Sequence, residues 1–264
     1  MHKQSFSSNK TQDIIDLAII IPTLNEEHFV GYLLDSIVNQ SVQPKEIVVV
    51  DVYSQDKTIE QVRMRQNLLP QLKIFQIPKF TVSRQRNFGE KQTTVKHLLF
   101  LDADTELRGQ HSLERYFEQI KKRRPDLAIV TNGSTVDCWK DKLFFTAMDL
   151  LFKTIKPIWP LASGTNMYIR RKTFERVGGF DESIAVGEDF EIVYRIVKAG
   201  GRFSIISKPK FYTSPRRLER EGRIRFTLKS IRSFFRVVRK GYRDNPLEYE
   251  FGHFTAVDQP RKRS

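Results

Sequence analysis

The chain has 264 residues, 39% of them hydrophobic, which is enough for one large α/β domain and an appendage. Lys and Arg exceed Asp and Glu by 14 charges, and this excess indicates a polyanionic partner such as a nucleic acid, a phosphorylated ligand or an anionic membrane surface. The single cysteine excludes an intramolecular disulfide and a cysteine-rich zinc site, so a reducing compartment such as the cytoplasm is expected.

Two features of the N-terminal region bear on targeting. Residues 1–16 are polar and lack the apolar segment of a secretory signal, so they predict a flexible tail. The longest wholly apolar runs, such as Leu17–Ile21, have about five residues, whereas a transmembrane helix needs roughly twenty. We therefore expect no transmembrane helix, and we expect any contact with a membrane to be peripheral.

The first elements along the chain predict a parallel βαβ unit. Leu17–Ile21 is expected to be a buried strand that ends at Pro22, and the polar loop after it leads into a helix with apolar residues at helical spacing. Glu46–Val50 is expected to be the second strand, and it ends in Asp51. Because such a crossover is right-handed and its strands are parallel, the loop at Pro22 and Asp51 should lie at the same edge of the sheet.

Two arginines follow the third predicted strand. A helix over Thr58–Asn67 leads to a strand over Lys73–Ile77, and a short helix that begins at Ser83 carries Arg84 and Arg86. A guanidinium group is able to bind phosphate oxygens through two parallel hydrogen bonds, so one of these arginines is a candidate ligand for a diphosphate. The alternative is a pair of solvated surface arginines, and the sequence leaves both open.

An acidic pair directly follows the fourth predicted strand. His97–Leu101 is expected to be a strand whose last four residues are apolar, so Asp102 and Asp104 should emerge at the carboxyl edge of the sheet, where open α/β folds place their ligands. Two carboxylates one residue apart are able to bind one Mg²⁺ or Mn²⁺ ion that also takes substrate phosphates. A polar strand exit with solvated acids is the alternative, because Asp-x-Asp alone is a weak motif.

The second half of the chain contributes another pair of acids. Glu188 and Asp189 are expected at the start of a helix that ends at Gly200–Gly201. The helix dipole alone would stabilise acids there, which is the structural alternative to a functional role. Three other elements are predicted: a helix over residues 108–124, a strand over 127–130 and a helical or irregular excursion over 139–155.

Six short motifs follow one another along the chain: Pro22-x-x-Asn25-Glu26, Asp51 with Ser54-x-Asp56-x-Thr58 after it, Arg86-Asn87-x-Gly89, Asp102-x-Asp104, Gly178-Gly179-Phe180-Asp181-Glu182 and Glu188-Asp189. They stand in the order in which they occur in the family 2 glycosyltransferases, which the sequence resembles over residues 17–206. This resemblance implies an α/β GT-A fold, in which a Rossmann-like, mostly parallel sheet flanked by helices spans residues 17–210. A basic amphipathic extension would follow over residues 211–264.

The resemblance also implies an activity, which is the inverting, metal-dependent transfer of one sugar from a UDP- or GDP-linked donor. Mannose or glucose is the expected sugar, and the acceptor would be the hydroxyl or phosphate of a lipid-linked or saccharide molecule. Asp189 would be the general base, while Asp104 with Asp102 would bind Mn²⁺ or Mg²⁺ and the donor diphosphate. The other residues expected to bind the nucleotide sugar are Pro22, Thr23, Asn25, Glu26, Asp51, Arg86, Ala103 and Glu188. These roles suit the reaction, because negative charge develops on the leaving diphosphate and the attacking hydroxyl needs a carboxylate base.

The sequence departs from the family pattern at two places. Val52 stands where a second Asp is frequent, and Tyr53 stands where Gly is usual, which leaves the nucleotide base and the metal arrangement open. No Gln-x-x-Arg-Trp pattern follows Asp189, and in this family that pattern resembles processive polymer synthesis. Transfer of one sugar per encounter is therefore expected.

The C-terminal segment carries most of the excess charge. Residues 216–243 contain eleven Lys and Arg against two Glu. An apolar stripe with spacings of four and three residues runs through them, formed by Ile224, Leu228, Ile231, Phe235, Val238 and Tyr242. Such a basic amphipathic helix favours peripheral binding to an anionic membrane on its cytoplasmic face, and hence a lipid-linked acceptor. The alternative is a helix packed on its own domain.

Three other classes of protein fit the sequence less well. A nucleic-acid-binding protein would explain the charge, but the basic residues cluster outside the α/β region and no RNA-binding or zinc-finger motif is present, so no nucleic acid is expected. A catalytically inactive nucleotide-binding protein on the same fold would not need to retain Asp102, Asp104 and Asp189. A nucleotidyltransferase would ordinarily have a Gly-rich basic loop where Pro22-Thr23-Leu24-Asn25 stands.

Overall fold

The computed structural model of the protein describes residues 12–78, 81–155, 166–184, 187–223, 225–229 and 232. These residues form one mixed sheet with helices on both faces. The strands are β1 (Asp13–Thr23), β2 (Val42–Asp51), β3 (Leu72–Gln76), β4 (His97–Leu101), β5 (Thr105–Glu106), β6 (Leu127–Ser134), β7 (Asn166–Arg170) and β8 (Phe203–Thr213). The helices are α1 (Val30–Val38), α2 (Thr58–Arg63), α3 (Val82–Lys91), α4 (Ser112–Arg123), α5 (Trp139–Ile155), α6 (Arg171–Val177), α7 (Glu188–Lys198) and α8 (Arg216–Glu221).

Strand β1 lies at the centre of the core because both of its faces are apolar. Leu17, Ile19 and Ile21 share one buried cluster with side chains of α1 and α4. Ala18 and Ile20 belong to a second cluster on the other face, with side chains of α6 and α7. Successive side chains of a strand point to opposite faces, so this continuous apolar run serves two layers of helices.

The strand order β3-β2-β1-β4-β7-β6-β8-β5 decides which loops meet. The first four strands run parallel, and β7 lies antiparallel between β4 and β6. Strand β8 is parallel to β6, and β5 is antiparallel to β8. The carboxyl ends of β1, β2, β4, β6 and β8 therefore meet at one edge of the sheet. The expected α/β fold with a mostly parallel sheet flanked by helices is confirmed, with β7 and β5 as its antiparallel members.

Strand β4 has the predicted bounds, but β1 is longer than predicted at both ends. It begins at Asp13, so residues 13–16 belong to the sheet and not to a flexible tail, while residues 1–11 lie outside the described part of the chain. Pro22 pairs with Val50 and does not end the strand. Because Pro22 is the penultimate residue of β1, its missing N–H group costs at most one ladder bond.

Strand β8 runs across the expected boundary between residues 210 and 211. Its pairing with β6 and β5 continues to Thr213, so the sheet extends three residues beyond the predicted end of the α/β domain. The segment over residues 139–155, predicted as helical or irregular, is helix α5.

The basic segment begins as a helix at Arg216, and after a break at Gly222 the described residues 223, 225–229 and 232 are helical again. Helix α8 ends at Glu221, and Gly222 after it has a φ of +78°. Of the predicted apolar stripe, Leu228 is 62% exposed, while the other five residues lie outside the described part of the chain. Within the described residues, no helix has both the length and the apolar character needed to cross a membrane.

Candidate active site

The carboxyl ends of β1 and β2 lie side by side around Asp51, and this part of the sheet edge is called the floor of the site. The side chain of Asp51 is fully buried, and Thr23 Oγ1 donates a hydrogen bond to its Oδ1 at 3.0 Å. The Ser54 N–H donates to Oδ2 at 2.9 Å, and the side-chain amide of Gln76 donates to the same oxygen at 3.2 Å. Asp51 therefore fixes the conformation of the loop that follows β2.

The loops after β1 and β2 are joined by hydrogen bonds to backbone N–H groups. The N–H of Asn25 donates to Ser54 Oγ at 2.8 Å, and Asn25 Oδ1 accepts the N–H of Gln55 at 2.9 Å. The N–H of Glu26 donates to Thr58 Oγ1 at 2.7 Å. Asn25 has a φ of +53°, a conformation that Asn tolerates better than most residues. The Pro22-x-x-Asn25-Glu26 motif is thus held against the second motif.

Helix α3 lies unusually close to the sheet. The side-chain amide of Gln85 donates to the backbone carbonyls of Thr23 at 3.0 Å and Val50 at 2.7 Å. A Cβ atom on Gly89 would lie 2.5 Å from Ile20 Cγ2, which is closer than van der Waals contact allows. The absence of a side chain at Gly89 therefore lets α3 approach β1 and carry Arg86 to the sheet edge.

Arg86 joins two of the predicted acidic residues. Its Nη1 donates to Glu188 Oε1 at 2.9 Å, and its Nη2 donates to Asp102 Oδ1 at 3.0 Å. The guanidinium group is 4% exposed and lies over the ring of Phe180, 5.3 Å from its centre. The group is therefore buried between two carboxylates, and its expected contact with a diphosphate stays a prediction.

Burial raises the pKa of Asp102 to about 6, and the negative charges of Asp104 and Glu188 add to this shift while Arg86 opposes it. Burial also acts to lower the pKa of Arg86, but the carboxylates of Asp102, Glu188 and Asp189 outweigh it and raise that pKa above its ordinary value. The charges of Asp102, Glu188 and Asp189 therefore all act on one guanidinium.

The Gly-Gly-Phe-Asp-Glu motif is locked to α3 through Asn87. The side-chain amide of Asn87 donates to the carbonyl of Phe180 at 2.9 Å and to Glu182 Oε1 at 3.0 Å. Asn87 Oδ1 accepts the N–H of Phe180 at 2.9 Å, and the preceding Gly179 has a φ of +73°. This lock positions the start of α7, where Asp189 is partly exposed and Glu188 is buried.

Asp104, the second acid of the Asp-x-Asp motif, contacts Arg216, which lies at the start of α8. Thr213 Oγ1 donates to Asp104 Oδ1 at 3.1 Å, and Arg216 Nε lies 3.3 Å from Asp104 Oδ2. The same guanidinium donates to both oxygens of Glu26 at 2.9 Å and lies over the ring of Phe29. Burial raises the pKa of Glu26 to about 7, although the pairing with Arg216 opposes this shift.

Arg216 is the site residue that the sequence did not reveal. It was expected in a separate basic extension, and it lies 190 residues from Glu26 in the chain. No local motif marks it, because its position depends on β8 carrying the chain back to the sheet edge beside β5.

A cavity of about 830 Å³ lies on one side of Asp104 and Arg216. It is bounded by the end of β6, the start of α5 and the end of β8, and its apolar surface includes the rings of Phe29, Tyr32, Phe145 and Tyr212. Asp51, Asp102 and Asp189 do not line it. The sheet edge that carries Asp102, Asp104, Glu188 and Asp189, called the acidic edge below, therefore adjoins this cavity at Asp104.

Asp102 and Asp104 offer oxygen ligands that suit a hard divalent cation, whose remaining ligands would come from the substrate. The described residues contain no cluster of three or more His, Cys, Asp or Glu side chains able to hold a metal by themselves. Mg²⁺ and comparable ions are commonly bound through one or two carboxylates plus substrate phosphates, and two carboxylates one residue apart provide that set.

The structure brings most of the predicted residues to one edge of the sheet. Arg86 connects Asp102 with Glu188, which precedes Asp189, and Arg216 connects Asp104 with Glu26. The other members are Pro22, Thr23, Asn25 and Asp51 at the ends of β1 and β2, and Ala103, which is buried between the two acids of its motif.

Comparison with known proteins accounts for this arrangement. The model of the family described as "Glycosyl transferase family 2" matches residues 18–178, more than half of the chain. The chain belongs to this family. Among curated members, it is 26% identical to the Staphylococcus aureus poly(ribitol-phosphate) beta-N-acetylglucosaminyltransferase TarS over 77% of this chain and 36% of TarS. It is also 30% identical to the glycosyltransferase AglE of Haloferax volcanii over 70% of this chain and 62% of AglE.

Solved structures of other glycosyltransferases share the GT-A fold of this chain. A crystal structure of S. aureus TarS superposes with a TM-score of 0.60 at 20% identity, covering 81% of this chain and 39% of that chain. The mannosyltransferase PcManGT from Pyrobaculum calidifontis, in complex with GDP-Man and Mn²⁺, superposes with a TM-score of 0.67 at 23% identity, covering 86% of this chain and 65% of that chain. The chain thus spans little more than a third of TarS and about two thirds of PcManGT.

Proposed function

We propose that this protein is an inverting, non-processive glycosyltransferase that moves one sugar from a UDP- or GDP-linked donor to an acceptor. The observation that carries the proposal is the pair of arginine-linked carboxylate clusters at one sheet edge, in a chain that belongs to glycosyl transferase family 2. Related structures support the donor class, since TarS was solved with UDP and with UDP-GlcNAc, and PcManGT with GDP-Man.

In the proposed mechanism, Asp189 is the general base. It is partly exposed at the start of α7, so its carboxylate is able to accept the proton of an attacking acceptor hydroxyl. Asp102 and Asp104 hold Mn²⁺ or Mg²⁺, which when bound neutralises charge on the donor diphosphate. Arg86 acts as a positioning residue that orients Asp102 and Glu188, because its buried guanidinium already contacts both.

The ends of β1 and β2 are proposed to bind the nucleoside. Pro22, Thr23 and Asn25 line this floor, and Glu26 closes its side toward Arg216. Asp51 is the proposed contact to the base. Its longest hydrogen bond, at 3.2 Å to Gln76, is the one that a base N–H would replace at least cost.

We further propose a lipid-linked acceptor, with mannose or glucose as the transferred sugar. A relative from Methanococcus voltae, 24% identical over 89% of this chain, is named for a dolichyl-linked acceptor. The basic segment over residues 211–264 would bring the site to an anionic membrane surface. Its described part packs on the domain through ion pairs such as Arg223 with Asp141, so the membrane contact is assigned to residues after 232.

Removal of residues 233–264 tests this membrane contact while keeping every contact described for Arg216 and Arg223. Co-sedimentation with vesicles of anionic phospholipid is expected to be lost in the truncated protein, and turnover of a soluble acceptor is expected to remain. Equal co-sedimentation of both proteins would contradict the proposal.

A donor screen tests the central proposal. Thermal shift and donor turnover are measured with UDP- and GDP-sugars, with and without Mn²⁺, for the wild type, Asp189→Asn and the control Glu118→Gln on the exposed face of α4. One donor is expected to stabilise all three proteins, and turnover by Asp189→Asn is expected to fall about 10²- to 10⁴-fold. If no nucleotide sugar stabilises the wild type, or if Asp189→Asn turns over normally, the proposal is wrong.

A further inference from the structure

Both oxygens of the Asp104 carboxylate are in contact with residues at or just after the end of β8. Thr213 donates to Oδ1, and the guanidinium of Arg216 lies on Oδ2. The N–H of Ser214 also donates to the Asp104 carbonyl at 3.2 Å, which ties the end of β8 to the acidic motif. A positive charge therefore already lies on Oδ2 of Asp104, one of the two oxygens that this side chain offers to a divalent cation.

The surroundings make this overlap costly. The side chains of Arg216, Glu26 and Asp104 are between 11% and 17% exposed, so water screens their charges weakly. A divalent cation and a guanidinium on the same carboxylate would repel each other strongly in such a site. Binding of one at Asp104 must therefore weaken binding of the other.

We infer that Arg216 competes with the divalent cation for Asp104, holding the donor-free site closed until cation and donor displace it. This inference rests on the metal site of the proposed function and assigns a positioning role to a residue outside the family motifs.

The contacts of Arg216 indicate how its guanidinium group leaves Asp104 but stays bound at the site. Two hydrogen bonds of 2.9 Å hold it to Glu26, and the ring of Phe29 lies 4.4 Å from its guanidinium carbon. The contact to Asp104, at 3.3 Å, is longer than these two hydrogen bonds and is the one that the exchange breaks. Arg216 also faces the 830 Å³ cavity, so space exists beside it for the side chain to move. The positive charge of Arg216 thus remains beside Glu26 after the exchange.

Titration of the donor-free, full-length protein with Mn²⁺, followed by the electron paramagnetic resonance signal of the free ion, tests the competition. Arg216→Met is expected to bind Mn²⁺ about tenfold more tightly than the wild type, the factor for one charged hydrogen bond. The control Arg217→Met removes a neighbouring charge that pairs with Glu221 outside the site and is expected to leave the affinity unchanged. A purely structural role for Arg216 would instead weaken Mn²⁺ binding. Equal or weaker binding by Arg216→Met overturns the inference.

A second measurement uses the wild type alone and does not depend on the variant folding. Hydrogen–deuterium exchange of peptides covering residues 214–223 is expected to become faster when Mn²⁺ and UDP or GDP are added, because one of the contacts that anchor α8, that of Arg216 with Asp104, is lost. Unchanged or slower exchange, with Mn²⁺ bound, overturns the inference and leaves the proposed function standing. If neither the wild type nor Arg216→Met binds Mn²⁺, with or without nucleotide, the metal site and the inference both fail.

Discussion

Replacement of Arg86 by Met tests the architecture of the acidic edge most directly. The variant keeps an apolar stem but removes the charge shared by Glu188 and Asp102. Loss of one partner of a buried ion pair costs about 3–5 kcal/mol. Arg86 and Glu188 are 4% and 11% exposed, so loss of their contact carries the cost of a buried ion pair. Asp102 is 35% exposed, so water screens its charge and loss of its contact with Arg86 costs less. We therefore expect a loss near the lower limit, about 3 kcal/mol.

Urea unfolding followed by circular dichroism measures this loss. With a slope of about 3 kcal/mol per M, the midpoint of Arg86→Met is expected to fall by about 1 M. Arg84→Met on the exposed side of the same helix is the control and should change the free energy of unfolding by no more than about 0.5 kcal/mol. A variant as stable as the wild type that no longer binds nucleotide sugar would refute this reasoning, because Arg86 would then act as a diphosphate ligand.

Two further substitutions test the packing and the pH response of the fold. Gly89→Ala is expected to destabilise the protein by about 1–3 kcal/mol despite better helix propensity, because the new Cβ would lie 2.5 Å from Ile20 Cγ2; a midpoint equal to that of the wild type contradicts this. Burial lowers the pKa of His97, so the unfolded chain binds its proton first and stability is lost as pH falls below about 6.5. His97→Gln should therefore lose less stability than the wild type between pH 7 and pH 5 in urea titrations, and an equal loss would show that His97 does not contribute.

Short sequence patterns predicted the parts of the site whose structure is decided by residues adjacent in the chain. The apolar run of β4 ending in Asp102 is visible in the sequence because a buried strand must be apolar on both faces and its exit is polar. The start of α7 at Glu188 was also predicted, since acids cluster in the first turn of a helix and a Gly pair follows the last. Both features were found at the predicted residues.

Tertiary contacts decided the features that the sequence did not reveal. Strand β8 mixes apolar residues with Lys208, Pro209 and Lys210 and has no clear alternation, because it is buried unevenly between β6 and β5. Without β8, nothing places Arg216 beside Asp104. The surroundings of Arg86 were not predicted for a similar reason, since the sequence shows a cation in a helix but not the two carboxylates that enclose it.

Strand β7 covers one edge of β4 but is synthesised well after β4. One edge of β4 pairs with β1, but its other edge is covered only by β7, whose first residue follows Leu101 by roughly 65 residues. At about 5–20 residues per second, the ribosome leaves that edge uncovered for roughly 3–13 s after β4 has been made. An uncovered, fully apolar strand edge is a template for pairing with other chains. The nascent chain is therefore most prone to aggregation in this interval, and a chaperone that binds apolar strands would act on β4.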